Sequence, residues 1–212
     1  MNAIPLRAPA GPCVGRDREL SRLVECFEEA CRDGERLVLI RGPSGVGKTR
    51  VMTVFRSRMR LEGTVVLEGR CTAGGRALAP LGDILRGALR FLEEVGREGD
   101  VDITPLAFLL GDQAPEKGCD QGMTPLEQRV RFFEAYCALI RALSRIKPPV
   151  ILVHDLHRAD PATVELLTHL LDGAGPWLDS PNGDRTLFGL VVASARTSDE
   201  TDSVSRLAAH PK

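Results

Sequence analysis

The sequence predicts an α/β domain, a mainly parallel sheet with helices on both faces, and three observations predict it. The apolar run Leu37-Val38-Leu39-Ile40 leads directly into Gly42-Pro43-Ser44-Gly45-Val46-Gly47-Lys48-Thr49 and then into a helical stretch, so a strand, a glycine-rich turn and a helix follow without a break. Further short strand-like runs at Thr64–Leu67, Val150–Val153 and within Thr186–Ala195 alternate with amphipathic helices. The links between these segments are short, which fits buried parallel strands joined by crossover helices.

The elements follow in order. After a start broken by Pro5, Pro9 and Pro12, Asp17 is placed to cap a helix whose apolar positions Leu20, Leu23, Val24, Phe27 and Cys31 share one face and which Gly34 ends. The first strand is expected at about Arg36–Arg41. The helix after the glycine-rich turn carries Val51, Val54 and Phe55 inward and runs out near Gly63, before the second strand. Between residues 71 and 124 glycine and proline recur, and only Leu81–Val95 has helical periodicity, so this stretch reads as an insertion-like helical region with loops. Thr124-Pro125-Leu126-Glu127 is a capping box with proline at the first helical position, leading into Leu126, Val130, Phe133, Cys137, Ile140 and Leu143 on one face. Pro148 and Pro149 stop that helix, Val150–Val153 forms a third strand, Asp160-Pro161 starts a helix with Val164, Leu167 and Leu171 inward, and the fourth strand follows.

Length and composition bound the function. The 212 residues suit one α/β domain, and 43% apolar with 27% charged residues indicate neither disorder nor a membrane class. With 28 basic against 29 acidic side chains and a formal charge of -1, no basic excess points to direct nucleic-acid binding. The six cysteines, Cys13, Cys26, Cys31, Cys71, Cys119 and Cys137, form no C-x-x-C pair, so reduced and mostly buried thiols are expected. The N-terminus lacks the apolar core of a secretion signal and no run is long enough to span a bilayer, so a cytoplasmic location is expected.

The glycine-rich turn carries the chemistry. Gly42, Gly45 and Gly47, with Pro43, Ser44, Val46 and Arg50 around them, let successive backbone N–H groups curl around a β-phosphate. Lys48 reaches the β and γ oxygens, and the Thr49 hydroxyl ligates Mg²⁺. The helix beginning near Gly47 adds its positive end. Hydrolysis needs acids at the tip of a neighbouring strand to hold the metal and to activate water. Val150-Ile151-Leu152-Val153-His154-Asp155-Leu156-His157-Arg158-Ala159-Asp160 supplies such a strand and then polar groups.

With these two segments the chain resembles the signal-transducing branch of the AAA+ superfamily, the STAND ATPases, including the ATPase domains of large LuxR-type and maltose-regulator-like transcription activators. That resemblance implies a P-loop NTPase fold with an AAA+-like core, and ATP with Mg²⁺ as cofactors; a guanine-reading Asn-Lys-x-Asp segment is absent from the sequence. Where the family's strand usually ends in two acids, this chain has His154 and Asp155, and the usual tryptophan is Arg158. Asp155 thus matches the water-activating position and is also taken as a metal ligand with Thr49. Successive strand residues face opposite ways, so it needs a local bend to serve its neighbour's role. Val14-Gly15-Arg16-Asp17-Arg18-Glu19-Leu20 resembles the N-terminal box that lies against adenine, and reads equally well as a helix cap and charged turn. Gly69-Arg70-Cys71 with Ala79-Pro80-Leu81 resembles the segment after the second strand, and Arg196 falls where the family places a γ-phosphate sensor.

The resemblance spans residues 13–197, leaving 1–12 as a flexible N-terminal segment and 198–212 as a polar tail. The family continues into a fifth strand, a helical lid and output domains, so the chain looks like the nucleotide-binding portion of a longer regulator, lid absent, or a truncated relative. The expected function is an ATP-binding switch domain with slow or impaired hydrolysis. A binding module without hydrolysis is the alternative, and a small-molecule phosphotransferase with Arg70, Arg76, Arg86 and Arg90 as a lid ranks third. His154 and His157 with Asp155, read as a separate metal site, have no further ligand at recognisable spacing. Expected partners are ATP, other copies of the chain or further domains of a longer regulator, with neither nucleic acid nor membrane bound directly.

Overall fold

A computed structural model describes residues 15–111, 123–171, 189–198 and 202–209. Four parallel strands, β1 (Arg36–Gly42), β2 (Val66–Arg70), β3 (Val150–His154) and β4 (Leu190–Arg196), form one sheet in the order β1-β4-β3-β2. Helices α1 (Asp17–Asp33) and α2 (Lys48–Leu61) cover one face. The other face is covered by α3 (Ala79–Glu94), α5 (Pro125–Ile146), α6 (Pro161–Leu171) and α7 (Asp202–Ala208), with the single-turn α4 (Ala107–Leu110) beside α3.

Alternation along β3 builds both cores. Val150 and Leu152 meet Leu23, Met52 and Phe55 on the α1/α2 face, and Ile151 and Val153 meet Leu85, Tyr136 and Leu139 on the other. Every β3 residue is buried, so burial of apolar side chains on both faces holds this strand at the centre. Tyr136, fully buried, donates its hydroxyl to the Leu81 carbonyl at 3.0 Å and ties α5 to α3.

Several expectations shift. Arg16, not Asp17, precedes α1 as its cap and makes no side-chain cap hydrogen bond; Asp17 is the first helical residue, where its carboxylate favours the positive helix end. On α1 the buried positions are Leu20, Leu23, Cys26 and Ala30, with Val24 and Phe27 packed partly against them. Strand β2 starts later than Thr64, because the Thr64 N–H still closes the end of α2 on the Met59 carbonyl, and it runs on to Arg70 by pairing with β3 to its tip. The Thr124/Glu127 capping box of α5 forms with both bonds present. Leu126 and Val130, expected inward, are 70% and 47% exposed. The helix is 22 residues long, about 33 Å, and its first turns project past the core, so burial begins at Phe132.

Cys26, Cys71 and Cys137 are buried free thiols and Cys31 is half-buried; Cys13 and Cys119 lie outside the described residues. Desolvation raises the Cys71 thiol pKa to about 12 and that of Cys137 to about 11, which makes both inert. The expectations for segment 1–12, for Val14, for residues 186–188 and for residues 199–201 and 210–212 of the tail also fall outside the described residues, while the rest of the expected polar tail holds α7, which buries Val204 and Leu207 against the core. No helix among the described residues is long and apolar enough to cross a membrane.

Candidate nucleotide site

Parallel strands put all their carboxyl ends on one edge of the sheet, and the sequence-derived residues gather there. The loop after β1 turns at Gly45 and Gly47, whose φ values of +80° and +98° only glycine adopts without strain. Lys48 then opens α2, so its helix N-terminus points into the loop. The first-turn N–H groups of a helix have no acceptor within it, and here they adjoin the loop's own amides. The Lys48 ammonium donates to the carbonyls of Gly42 at 2.7 Å and Pro43 at 2.8 Å, folding the side chain back over the loop. Thr49 is exposed in the first turn of α2. Glycines, lysine, hydroxyl and helix end therefore stand together as an anion-binding cradle requires, and a polyphosphate with its metal fits this donor set.

Arg196 ends β4, which lies between β1 and β3, and pairs in register with Gly42, the first residue of the loop. The Thr197 N–H donates to the Gly42 carbonyl. Position 196 is thus next to the cradle.

Asp155 follows β3 with φ +57° and ψ +43°. This left-handed conformation is uncommon outside glycine, though aspartate tolerates it better than most, and it bends the chain at the end of β3. The bend ends β3, lets the Asp155 N–H donate to the Ser194 hydroxyl at 3.1 Å, and sets the Asp155 carboxylate 3.0 Å from the Arg70 guanidinium on β2. Arg70 is half exposed, so the pair contributes under about 1 kcal/mol and acts mainly as an orienting contact. Arg76 donates to the Phe108 carbonyl and Arg86 pairs with Asp83, which engages them in local structure of the α3–α4 region.

His154 is where the chain departs most from the two-acid pattern. It lies on the α2 face of β3 and is 2% exposed, its Nε2 2.7 Å from Glu68 Oε1 on β2. The other Glu68 oxygen accepts from Arg56 of α2 at 2.7 Å. The hydrogen bond with His154, against the opposing effect of burial and with Arg56 adding to it, holds the Glu68 carboxyl at a pKa of about 2. Among the described residues His154 Nδ1 has no hydrogen-bond partner, and it is buried. Nε2 is therefore committed to a bridge between α2, β2 and β3, and Nδ1 is shut away from solvent. Among the described residues no group of three or more His, Cys, Asp or Glu is placed to hold a metal by itself.

Asp160 has a structural part: its carboxylate caps α6 through the Thr163 N–H at 3.0 Å and also accepts the Leu78 N–H at 3.0 Å. Burial alone would raise its pKa, but the hydrogen bonds from Thr163 and Leu78 prevail and hold it below the usual aspartate range. Sequence reasoning missed Glu68, Arg56 and Ser194. Only Ser194 left a signal, a hydroxyl inside the apolar run of β4. Gly15 stands at φ +79° just before α1, and the next residue reaches the loop, since Arg16 Nη2 donates to the Val46 carbonyl at 2.9 Å.

Comparison with known proteins adds an independent finding. The family model described as AAA ATPase domain matches residues 12–180. An uncharacterized protein of Rhizobium meliloti (strain 1021) is 25% identical over 211 residues, a match covering 82% of this chain and 20% of that protein. Among solved structures, Cdc6p from Pyrobaculum aerophilum aligns over 97% of this chain and 46% of its own, at 13% identity and a TM-score of 0.48. The Aeropyrum pernix ORC2 protein, solved as ADPNP–ADP complexes, aligns over 92% and 44%, at 14% identity and a TM-score of 0.45. The chain spans about a fifth of the curated relative and under half of each of these structures.

Proposed function

The chain belongs to the AAA ATPase domain family, and from that premise we propose that it is the ATP-binding switch domain of a STAND-type signalling or transcription regulator in which hydrolysis is slow. The observation that carries the nucleotide reading is the cradle itself: Gly45 and Gly47 at positive φ, Lys48 over the loop and the α2 N-terminus behind it. In this reading the loop amides and Lys48 bind the phosphates, and Thr49 and Asp155 would hold Mg²⁺. When bound, the metal would supply charge neutralisation on the phosphates. Asp155 orients the attacking water and Arg196 senses the γ-phosphate. Slow turnover is supported by the position of His154, whose imidazole is committed to Glu68 where a strand-end carboxylate would face the metal. The same observation favours, as a second reading, a module that binds ATP without hydrolysing it.

The test is a melting curve with and without ATP·Mg²⁺, beside steady-state phosphate release. At a ligand concentration one hundred times Kd the expected gain is about 2.7 kcal/mol, or roughly 5 to 10 °C for a chain of this size. Lys48→Ala should remove most of the shift and all phosphate release, and Asp155→Asn should keep the shift but lose the release. An unchanged melting temperature in millimolar ATP·Mg²⁺ overturns the reading, and phosphate release absent from the wild type while the shift persists selects the non-hydrolysing module.

A further inference from the structure

Arg16 joins the start of α1 to the phosphate loop. Its carbonyl accepts the Leu20 N–H at 3.0 Å, so its backbone caps the first turn of α1. Its guanidinium is a planar fork: Nη1 meets Glu19 Oε1 at 2.6 Å and Nη2 meets the Val46 carbonyl at 2.9 Å, thirty residues away. The peptide between Val46 and Gly47 is trans, so its C=O and N–H point in opposite directions. Tethering the Val46 oxygen to Arg16 therefore turns the Gly47 N–H away from Arg16. Gly47, at φ +98°, has the conformational freedom for this peptide to rotate. An external hold is what such a peptide needs to stay aimed at an anion.

Resting on the nucleotide reading above, we infer that Arg16 is a positioning residue that holds the Val46–Gly47 peptide with its N–H turned toward the bound polyphosphate, and so sets the affinity of the loop for phosphate chains. Glu19 completes the arrangement by fixing the other arm of the fork. A bland role is also available, because Arg16 lines a groove of about 470 Å³ with Leu23, Val38, Ile40, Val46 and Val51, and a base or another apolar group seated there would feel its loss. The two roles separate when the ligand has no base.

The experiment is a titration of the full chain, wild type and variants, with ATP and with inorganic tripolyphosphate, following the backbone amide resonances of Gly47 and Thr49. Arg16→Ala should weaken both ligands about tenfold, the scale of one charge-assisted hydrogen bond. The Gly47 amide should respond less to tripolyphosphate while Thr49 still responds. Arg16→Lys, which keeps the charge but lacks the planar fork that spans Glu19 and the Val46 carbonyl, should recover part of the affinity. Wild-type affinity for tripolyphosphate in a folded Arg16→Ala, or a loss confined to ATP, overturns the inference alone. A wild-type chain that binds neither ligand overturns the nucleotide reading and this inference with it.

Discussion

Replacing His154 by aspartate recreates the acidic strand end of the resembling family, and the structure says what that does first. The imidazole is 2% exposed and its Nε2 lies 2.7 Å from a Glu68 carboxylate oxygen. Aspartate there removes that hydrogen bond and sets a second carboxylate against Glu68. Two like charges about 4 Å apart at an effective dielectric constant of about 20 repel by about 4 kcal/mol. Arg56, 2.7 Å from the other Glu68 oxygen, offsets part of this. A net loss of about 2 to 3 kcal/mol is expected for His154→Asp in urea unfolding, read as a lower midpoint at unchanged slope. Glu68→Gln alone keeps an acceptor for His154 and loses its ion pair with Arg56, about 1 kcal/mol. In the double variant the new amide at position 68 donates to the new carboxylate at position 154, so the two losses are expected to fall short of their sum by about 2 kcal/mol. That coupling is the diagnostic quantity, and additivity within about 0.5 kcal/mol would refute the contact on which the account of His154 rests. The double variant, neutral at position 68, is also the one in which a restored strand-end acid should raise phosphate release at limiting Mg²⁺.

Two further expectations follow from packing and charge. Glu68 has a folded pKa of about 2, below the value of about 4.3 of an unfolded glutamate, so its stabilisation is complete above about pH 4.3 and disappears as the pH falls toward 2. The midpoint gap between wild type and Glu68→Gln should therefore close between about pH 5 and pH 2.5, and a constant gap counts against the charge assignment. At Gly69 an added Cβ would stand 2.4 Å from the Pro80 carbonyl oxygen at the start of α3, so Gly69→Ala should cost about 2 kcal/mol, a fall of roughly 4 to 8 °C in Tm; a rise would show that β2 and α3 do not touch there.

The strands and their helices were legible because each carries its own period. Leu37–Ile40 and Val150–Val153 are continuous apolar runs, and Thr124 with Glu127 states the start of α5 outright. What escaped were features set by contact between distant segments. Leu126 and Val130 fit the helical stripe of α5, yet lie beyond the reach of the core, which no periodicity reports. The loop after β1 was readable residue by residue, since glycine spacing and lysine position are local requirements. The setting of His154 was not, because Glu68 stands 86 positions away in sequence and Arg56 farther still, and they meet it only through strand register and the pitch of α2. The pairing of Asp155 with Arg70 was equally out of reach of the sequence.

Among the described residues β1 hydrogen-bonds only to β4, and its residues 36–40 are half-buried where those of β3 are fully buried. The strand that ends in the phosphate loop is thus a margin of the sheet, braced on one flank. A margin strand is a template on which another extended segment builds. A segment lying along that flank stiffens the base of the loop without touching a phosphate, and a phosphate in the loop orders the strand that the segment must recognise. Each favours the other by the same free energy. Under the proposed nucleotide reading, occupancy of the loop and association along this margin would be two readings of one equilibrium.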